Sequence, residues 1–172
     1  MSYKSNLKNI KAFVFDVDGV FTDGSVYLMP DKNMCRVMNV LDGYAVVKAI
    51  KENYKICVIT GGDDPMVRNR INYLGITDYY AKISNKLEKF EEFKQKYNLA
   101  NEEILTMGDD LPDISMMKIS GISACPQNSV AEVKALSDYI SPIQGGKGAV
   151  RDVIEQVMKV QEKWILDDTK ST

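Results

Sequence analysis

The stretch Phe13-Val14-Phe15-Asp16-Val17-Asp18-Gly19-Val20 decides how this chain is read. An apolar, strand-like run ends in two carboxylates spaced i, i+2 and followed by a glycine. Burial of Phe13 and Phe15 pins the strand, and its C-terminal end then delivers Asp16 and Asp18 into a crevice above a sheet. Open α/β sheets place their ligands there. Two carboxylates this close repel each other, and a divalent cation relieves the repulsion. An isolated acidic turn would use the same residues, because Asp and Gly suit turns for backbone reasons. The segments downstream separate these two readings.

The chain has 172 residues, enough for one domain over residues 1–172 with a substantial core. Its formal net charge is −2, so it carries no general electrostatic footprint for nucleic acid or an anionic membrane. The apolar runs are strand-sized, and we expect no signal peptide and no transmembrane helix. Cys35, Cys57 and Cys125 are widely spaced and form no CxxC pair, which fits reduced thiols in a cytoplasmic protein. There is no histidine. Ser-His-Asp and Cys-His nucleophiles, histidine-bound zinc and phosphohistidine are therefore excluded together. Any catalysis is left to carboxylates, hydroxyls, lysine and backbone amides, with or without a hard metal ion.

Strand and helix signals alternate along the chain. After the Phe13 strand, residues 25–29 and 34–40 read as a hairpin around a turn at 30–33. A helix is expected over 43–53. Lys55-Ile56-Cys57-Val58-Ile59 reads as a buried strand ending at Thr60-Gly61-Gly62. Asp64-Pro65 is a cap followed by proline at the first helical position, opening a helix that closes near Leu74-Gly75. A short strand near Tyr79 precedes a helix from about Ser84. Ile104 to Met107 is a further strand, entering Gly108-Asp109-Asp110-Leu111-Pro112-Asp113. Short strands follow at Ile122-Ala124 and Tyr139-Ile140, separated by a helix over 129–136, and a last helix reaches about Leu166. The expected fold is α/β: a Rossmann-like, doubly wound, mainly parallel sheet with a hairpin insert at about 25–40.

Four polar signals then sit at strand ends or helix starts: Asp16 with Asp18, Thr60-Gly61, Lys86, and Asp109-Asp110 with Asp113. Right-handed βαβ crossovers bring these ends to one edge of the sheet. Each signal alone has an ordinary structural explanation. Together they fit phosphoryl transfer. A carboxylate can attack phosphorus only when the phosphate charge is neutralised, and Asp16 with Asp109 suits an octahedral Mg²⁺ completed by a carbonyl, water and phosphate. Lys86 adds a second positive charge, while the Thr60 hydroxyl and nearby N–H groups cradle the phosphoryl oxygens. Asp18 is placed to give a proton to the leaving oxygen and later take one from water.

These four motifs resemble those of the haloacid dehalogenase superfamily. The segments Asp16-Val17-Asp18-Gly19-Val20-Phe21-Thr22-Asp23-Gly24, Asn39-Val40-Leu41-Asp42-Gly43-Tyr44, Ser84-Asn85-Lys86 and Gly145-Gly146-Lys147-Gly148-Ala149-Val150-Arg151 are similar to the capless 3-deoxy-D-manno-octulosonate 8-phosphate (KDO 8-phosphate) phosphatases of lipopolysaccharide precursor synthesis. The likeness runs from about Ile10 to Trp164. It implies Asp16 as nucleophile and Mg²⁺ ligand, with Asp18 binding the metal through its carbonyl while its side chain serves as acid and base. Thr60, Gly61 and Lys86 would hold the phosphoryl group, and Asp109 would complete the metal site. Asp110 and Asp113 would support that shell, Asp113 by orienting Lys86. Asn39, Asp42, Gly43 and Arg70 would correspond to positions lining the substrate pocket, with Asp110 beside them. One position departs: many members carry a charged residue after Thr-Gly, commonly arginine, where this chain has Gly62.

The spans between the motifs are filled by the elements already named and leave no room for a cap domain. The apolar hairpin (Val26, Leu28, Met29, Met34, Val37, Met38) needs burial that two isolated strands cannot supply. The resemblance implies a homotetramer in which hairpins pack together and a neighbour's C-terminal segment, about 147–172, covers the site. Lys147 and Arg151 would then face a small sugar-acid phosphate. Other functions share parts of this pattern. One is a capless phosphatase acting on protein or nucleic-acid ends, which the acidic charge balance disfavours for nucleic acid. Another is a non-catalytic scaffold, which the filled catalytic positions disfavour. A nine-carbon sugar-acid 9-phosphate would use the same catalytic residues. A phospho-receiver domain has its paired acids on the first strand and its acceptor aspartate on the third, the reverse of the order here. A dehalogenase would need neither Asp18 nor a metal.

Overall fold

The computed structural model describes residues 3–30 and 34–164. Six strands form one parallel sheet: β1 (Ala12–Phe15), β4 (Lys55–Ile59), β5 (Asp78–Tyr80), β6 (Ile104–Met107), β7 (Ile122–Cys125) and β8 (Tyr139–Ile140). Their order across the sheet is β5-β4-β1-β6-β7-β8. Strand β1 lies between β4 and β6, with Phe15 opposite Val58 on one side and Met107 on the other. The chain first winds outward through β4 and β5, then crosses back over β1 to start β6. That reversal leaves a crevice above the C-terminal ends of β1 and β6, the position where doubly wound sheets bind ligands.

Alternation along the strands builds two cores. Phe13, Phe15, Ile56, Val58, Leu105 and Met107 face one side, packed against α1 (Val40–Lys51), α2 (Pro65–Tyr73) and α6 (Ala149–Val160). Ala12, Val14, Cys57, Ile59 and Ile104 face the other, against Phe90 and Phe93 of α3 (Lys86–Lys96) and Met116 of α4 (Ile114–Met117). All four residues of β1 are buried, as expected of a central strand covered on both faces. The short helix α5 (Ala131–Leu136) packs through Val133 against Cys125 of β7 and Met117 of α4.

Several expected boundaries shift for local reasons. The hairpin strands are only β2 (Tyr27–Leu28) and β3 (Met34–Cys35), and the expected turn residues 31–33 lie outside the described residues. Helix α1 starts at Val40 instead of Gly43, because Asn39 caps it by accepting from the Leu41 N–H at 2.9 Å. Helix α6 ends at Val160, short of the expected Leu166, where Glu162 turns the chain with φ 57°. Leu166 itself is outside the described residues. Between β1 and β4 the chain holds only the hairpin and α1, and between β4 and α3 only α2 and β5, so no cap is inserted. No helix among the described residues is long and apolar enough to cross a membrane.

Candidate active site

The crevice is a cleft of about 430 Å³ whose walls include Asp16, Asp18, Thr60, Gly61, Lys86, Asp109, Asp110 and Asp113. Eight sequence-predicted residues therefore converge there. Size alone does not mark the site. A cleft of about 740 Å³ at the opposite sheet edge, beside Lys11, Lys55 and Glu103, brings together no comparable acidic cluster.

Asp16 follows β1 directly and is 7 % exposed. Lys86, the first residue of α3, is 4 % exposed and bridges two carboxylates: its Nζ lies 2.9 Å from Asp16 Oδ1 and 2.6 Å from Asp113 Oδ1. The angle to Asp16 misses hydrogen-bond geometry, so Asp16 Oδ1 stays without a donor while its charge is paired. Asp113 is fully engaged. Its Oδ1 accepts from Lys86, and its Oδ2 accepts from the Asp109 N–H at 2.9 Å and the Asp110 N–H at 3.3 Å. Asp110 is exposed and caps the following turn through the Leu111 N–H at 2.7 Å.

Asp109 Oδ1 is also buried without a donor. A buried donor-free oxygen on each of Asp16 and Asp109 fits a site for a cation. Carboxylate oxygens of Asp16, Asp109 and Asp113 lie within 4.8 Å of one another. Since Asp113 already spends both oxygens on Lys86 and two amides, Asp16 and Asp109 are the side chains free to hold a divalent ion. Gly19 matters here: its φ is +85°, and a Cβ would overlap the Asp109 carboxylate.

Burial, then the Asp113 charge, raises the Asp16 pKa to about 7 against the opposing pull of Lys86. Burial, then Asp16, Asp113 and Asp110, raises Asp109 to about 7. Burial alone would lower Lys86, but Asp16 and Asp113 outweigh it and raise its pKa. Two carboxylates raised from 3.8 make the metal-free fold bind protons that the unfolded chain releases. This stabilisation is full below the unfolded value and is lost as pH rises through about 7. The melting temperature in EDTA is expected to fall by on the order of 5 °C between pH 6 and pH 8. Saturating Mg²⁺ should flatten that slope, which thermal melts across pH can check. An EDTA profile that rises with pH would contradict the buried acidic pair.

Thr60 is 4 % exposed at the end of β4, and its Oγ1 accepts from the Gly62 N–H at 3.2 Å, fixing the Thr-Gly-Gly turn at the cleft wall. Four expected pocket residues sit elsewhere in the protomer. Asn39 donates to the Gly146 carbonyl at 3.3 Å. Asp42 is fully buried and accepts from the Arg151 N–H at 2.8 Å, tying the start of α1 to the start of α6. Burial raises its pKa to about 6, against backbone N–H bonds that lower it. Gly43 and Arg70 abut one another, since a Cβ on Gly43 would come within 2.7 Å of Arg70 Nη2. None of the four lines the acidic cleft. Their places follow from helix packing, which spacing alone did not reveal. Lys147 pairs loosely with Asp23 at 3.9 Å, and the Arg151 guanidinium lies over Tyr44 and Trp164.

One charged contact at the site was not foreseen. Arg36, from just after β3, reaches Asp18 with Nε at 2.7 Å and Nη2 at 3.1 Å, and Asp64 with Nη1 at 3.0 Å. Its only signal in the sequence is a lone charge inside the apolar run Met34-Cys35-Arg36-Val37-Met38.

Comparison with known proteins agrees with this geometry. A family model described as haloacid dehalogenase-like hydrolase matches residues 74–154. The chain is 35 % identical over 163 residues to the 3-deoxy-D-manno-octulosonate 8-phosphate phosphatase KdsC of Escherichia coli K12, covering 95 % of this chain and 86 % of that protein. The crystal structure of the Yersinia pestis 3-deoxy-D-manno-octulosonate 8-phosphate phosphatase superposes with a TM-score of 0.92 at 31 % identity, over 94 % of this chain and 88 % of that one. The Moraxella catarrhalis phosphatase, solved with a magnesium ion, a phosphate ion and KDO, gives 0.91 at 30 % identity, over 94 % and 93 %. With a parallel sheet that carries an acidic pair and a lysine at its switch point, and with relatives matched over nearly its whole length, the chain belongs to the haloacid dehalogenase-like hydrolases, within the family of the 3-deoxy-D-manno-octulosonate 8-phosphate phosphatases.

Proposed function

We propose that this chain is a Mg²⁺-dependent phosphomonoester hydrolase that converts KDO 8-phosphate to KDO and phosphate, with Asp16 as nucleophile. The observation that carries this reading is the buried Asp16 carboxylate, with one oxygen free of donors and a lysine 2.9 Å away. The Moraxella relative with magnesium, phosphate and KDO supports the same cofactor and product. Asp16, Asp109 and the Asp18 carbonyl would hold Mg²⁺, which supplies positive charge to the phosphoryl oxygens when bound.

The residues of the chain account for the steps. Lys86 and the Thr60 turn hold the phosphoryl group against Asp16. An Asp16 oxygen forms the new bond to phosphorus as the ester P–O bond breaks, and Asp18 gives its proton to the departing alkoxide, which leaves as an alcohol. Water then attacks the aspartyl phosphate, passing its proton to Asp18 and releasing phosphate and the Asp16 carboxylate. Asp113 keeps Lys86 in place through both halves. Asn39, Asp42, Gly43 and Arg70 support the packing around α1 and contribute to substrate binding indirectly in this reading.

The hairpin residues Tyr27, Leu28, Met34 and Val37 remain exposed in the protomer, Leu28 at 81 %. Their burial against identical hairpins in a homotetramer completes a site that has no cap. The C-terminal residues 165–172, expected to reach a neighbour's site, lie outside the described residues. Three free cysteines, two of them buried, fit a reduced, cytoplasmic setting. The test is kcat/KM on KDO 8-phosphate beside a nine-carbon sugar-acid 9-phosphate, with light scattering on the same sample. We expect a preference for the eight-carbon ester by about tenfold or more, equivalent to about 1.4 kcal/mol, and a tetramer at assay concentration. Preference for the nine-carbon ester would overturn the substrate; a fully active monomer would overturn the assembly.

A further inference from the structure

Arg36 is an unusual presence at this site. Its side chain is 10 % exposed although it comes from an exposed hairpin, and it carries three charge-assisted hydrogen bonds. The two anions it holds differ in kind. Asp64 is a fixed anchor, because its other oxygen caps α2 through the Met66 N–H at 2.8 Å. Asp18 is the more exposed partner, 39 % exposed on the cleft wall, and both of its oxygens are committed to Arg36.

That commitment conflicts with the role of Asp18 in the reaction. A carboxyl group turned toward the leaving oxygen cannot keep both oxygens on one guanidinium. Once it turns, Nε and Nη2 of Arg36 lose their acceptors while Nη1 stays on Asp64. A nearly buried guanidinium with two vacated donors is costly, and a planar anion presenting two oxygens satisfies it best. Gly62, which lines the cleft, is the nearest part of its wall to this guanidinium with no side chain of its own. A Cβ built there would stand 3.8 Å from Arg36 Nη2 and 3.8 Å from Asp18 Oδ2, so a long side chain at position 62 would compete with Arg36.

We propose that Arg36 is a specificity-determining residue that takes up the carboxylate of the leaving group when Asp18 turns to the scissile oxygen. The inference rests on the sugar-acid phosphatase reading, because it requires a substrate whose departing half is itself an anion. Phosphate binding stays with Lys86 and the metal, so Arg36 acts on the choice among phosphate esters.

The test compares wild type, Arg36→Ala and Arg36→Lys on KDO 8-phosphate and on mannose 6-phosphate, a primary alkyl phosphate with no carboxylate. Arg36→Ala should lose about 100-fold in kcat/KM on KDO 8-phosphate, mostly in KM, and no more than about fivefold on mannose 6-phosphate. Arg36→Lys keeps the charge without the two-pronged geometry and should recover part of the preference. The mannose 6-phosphate arm also reports that each variant is folded. An equal fall on both esters would overturn the assignment and reduce Arg36 to a strut for the hairpin and Asp18. Retention of the wild-type preference in Arg36→Ala would overturn it as well. A wild-type enzyme indifferent to the carboxylate would remove the sugar-acid reading itself, and the role of Arg36 with it.

Discussion

Asp16→Asn is expected to lower kcat by on the order of 10³-fold or more, with Mg²⁺ saturating and KM little changed. The substitution keeps the shape of the side chain and removes the nucleophilic oxygen, so the loss is chemical. Stability provides the control. Asp16 sits among Asp109 and Asp113 with its pKa raised to about 7 by burial and by Asp113. Replacing a carboxylate held against its preference by a neutral amide should leave the metal-free melting temperature at pH 8 equal to or above that of wild type. A slow enzyme that is as stable as wild type identifies the nucleophile. Turnover within a few-fold of wild type, or full wild-type activity in excess EDTA, would sink the proposed mechanism.

Lys86→Met is expected to damage both stability and rate. The ammonium stands between Asp16 at 2.9 Å and Asp113 at 2.6 Å, and all three side chains are at least nine-tenths buried. Removing it leaves two buried carboxylates without their cation, a change that costs about 3–5 kcal/mol when one member of a buried pair is lost. Urea denaturation in EDTA at pH 8 measures this loss. The double variant Lys86→Met/Asp113→Asn removes one of the stranded charges and should regain part of the stability. It should regain none of the activity, because the phosphoryl oxygens still lack the lysine charge. If the single variant denatures like wild type, the buried ion-pair description is wrong. If the double variant recovers turnover, Lys86 serves folding alone.

The two experiments separate contributions that the structure places within one cluster. In the proposed mechanism Asp16 is the reactive group, and Lys86 is the charge that offsets its burial. Asp113, with both oxygens occupied, orients Lys86 and shapes the turn that carries Asp109.

Local pattern alone determined the sheet, the order of its motifs and most of the cleft. Phe13 and Phe15 fit a buried strand, Asp64-Pro65 fits a helix start, and Gly108-Asp109-Asp110 fits the end of a strand. In a parallel sheet, strand ends share an edge, so Asp16, Thr60, Lys86, Asp109 and Asp113 were legible together before any coordinates. Tertiary structure decided the pairings that join distant segments. Asp42 resembled a pocket residue, yet the docking of α1 on α6 buries it beneath Arg151. Arg36 drew no reading from the sequence, yet the path of the hairpin brings it onto Asp18 and Asp64. Such contacts depend on the relative placement of packed elements and on which side chain fills a gap such as Gly62, quantities that no short-range periodicity encodes.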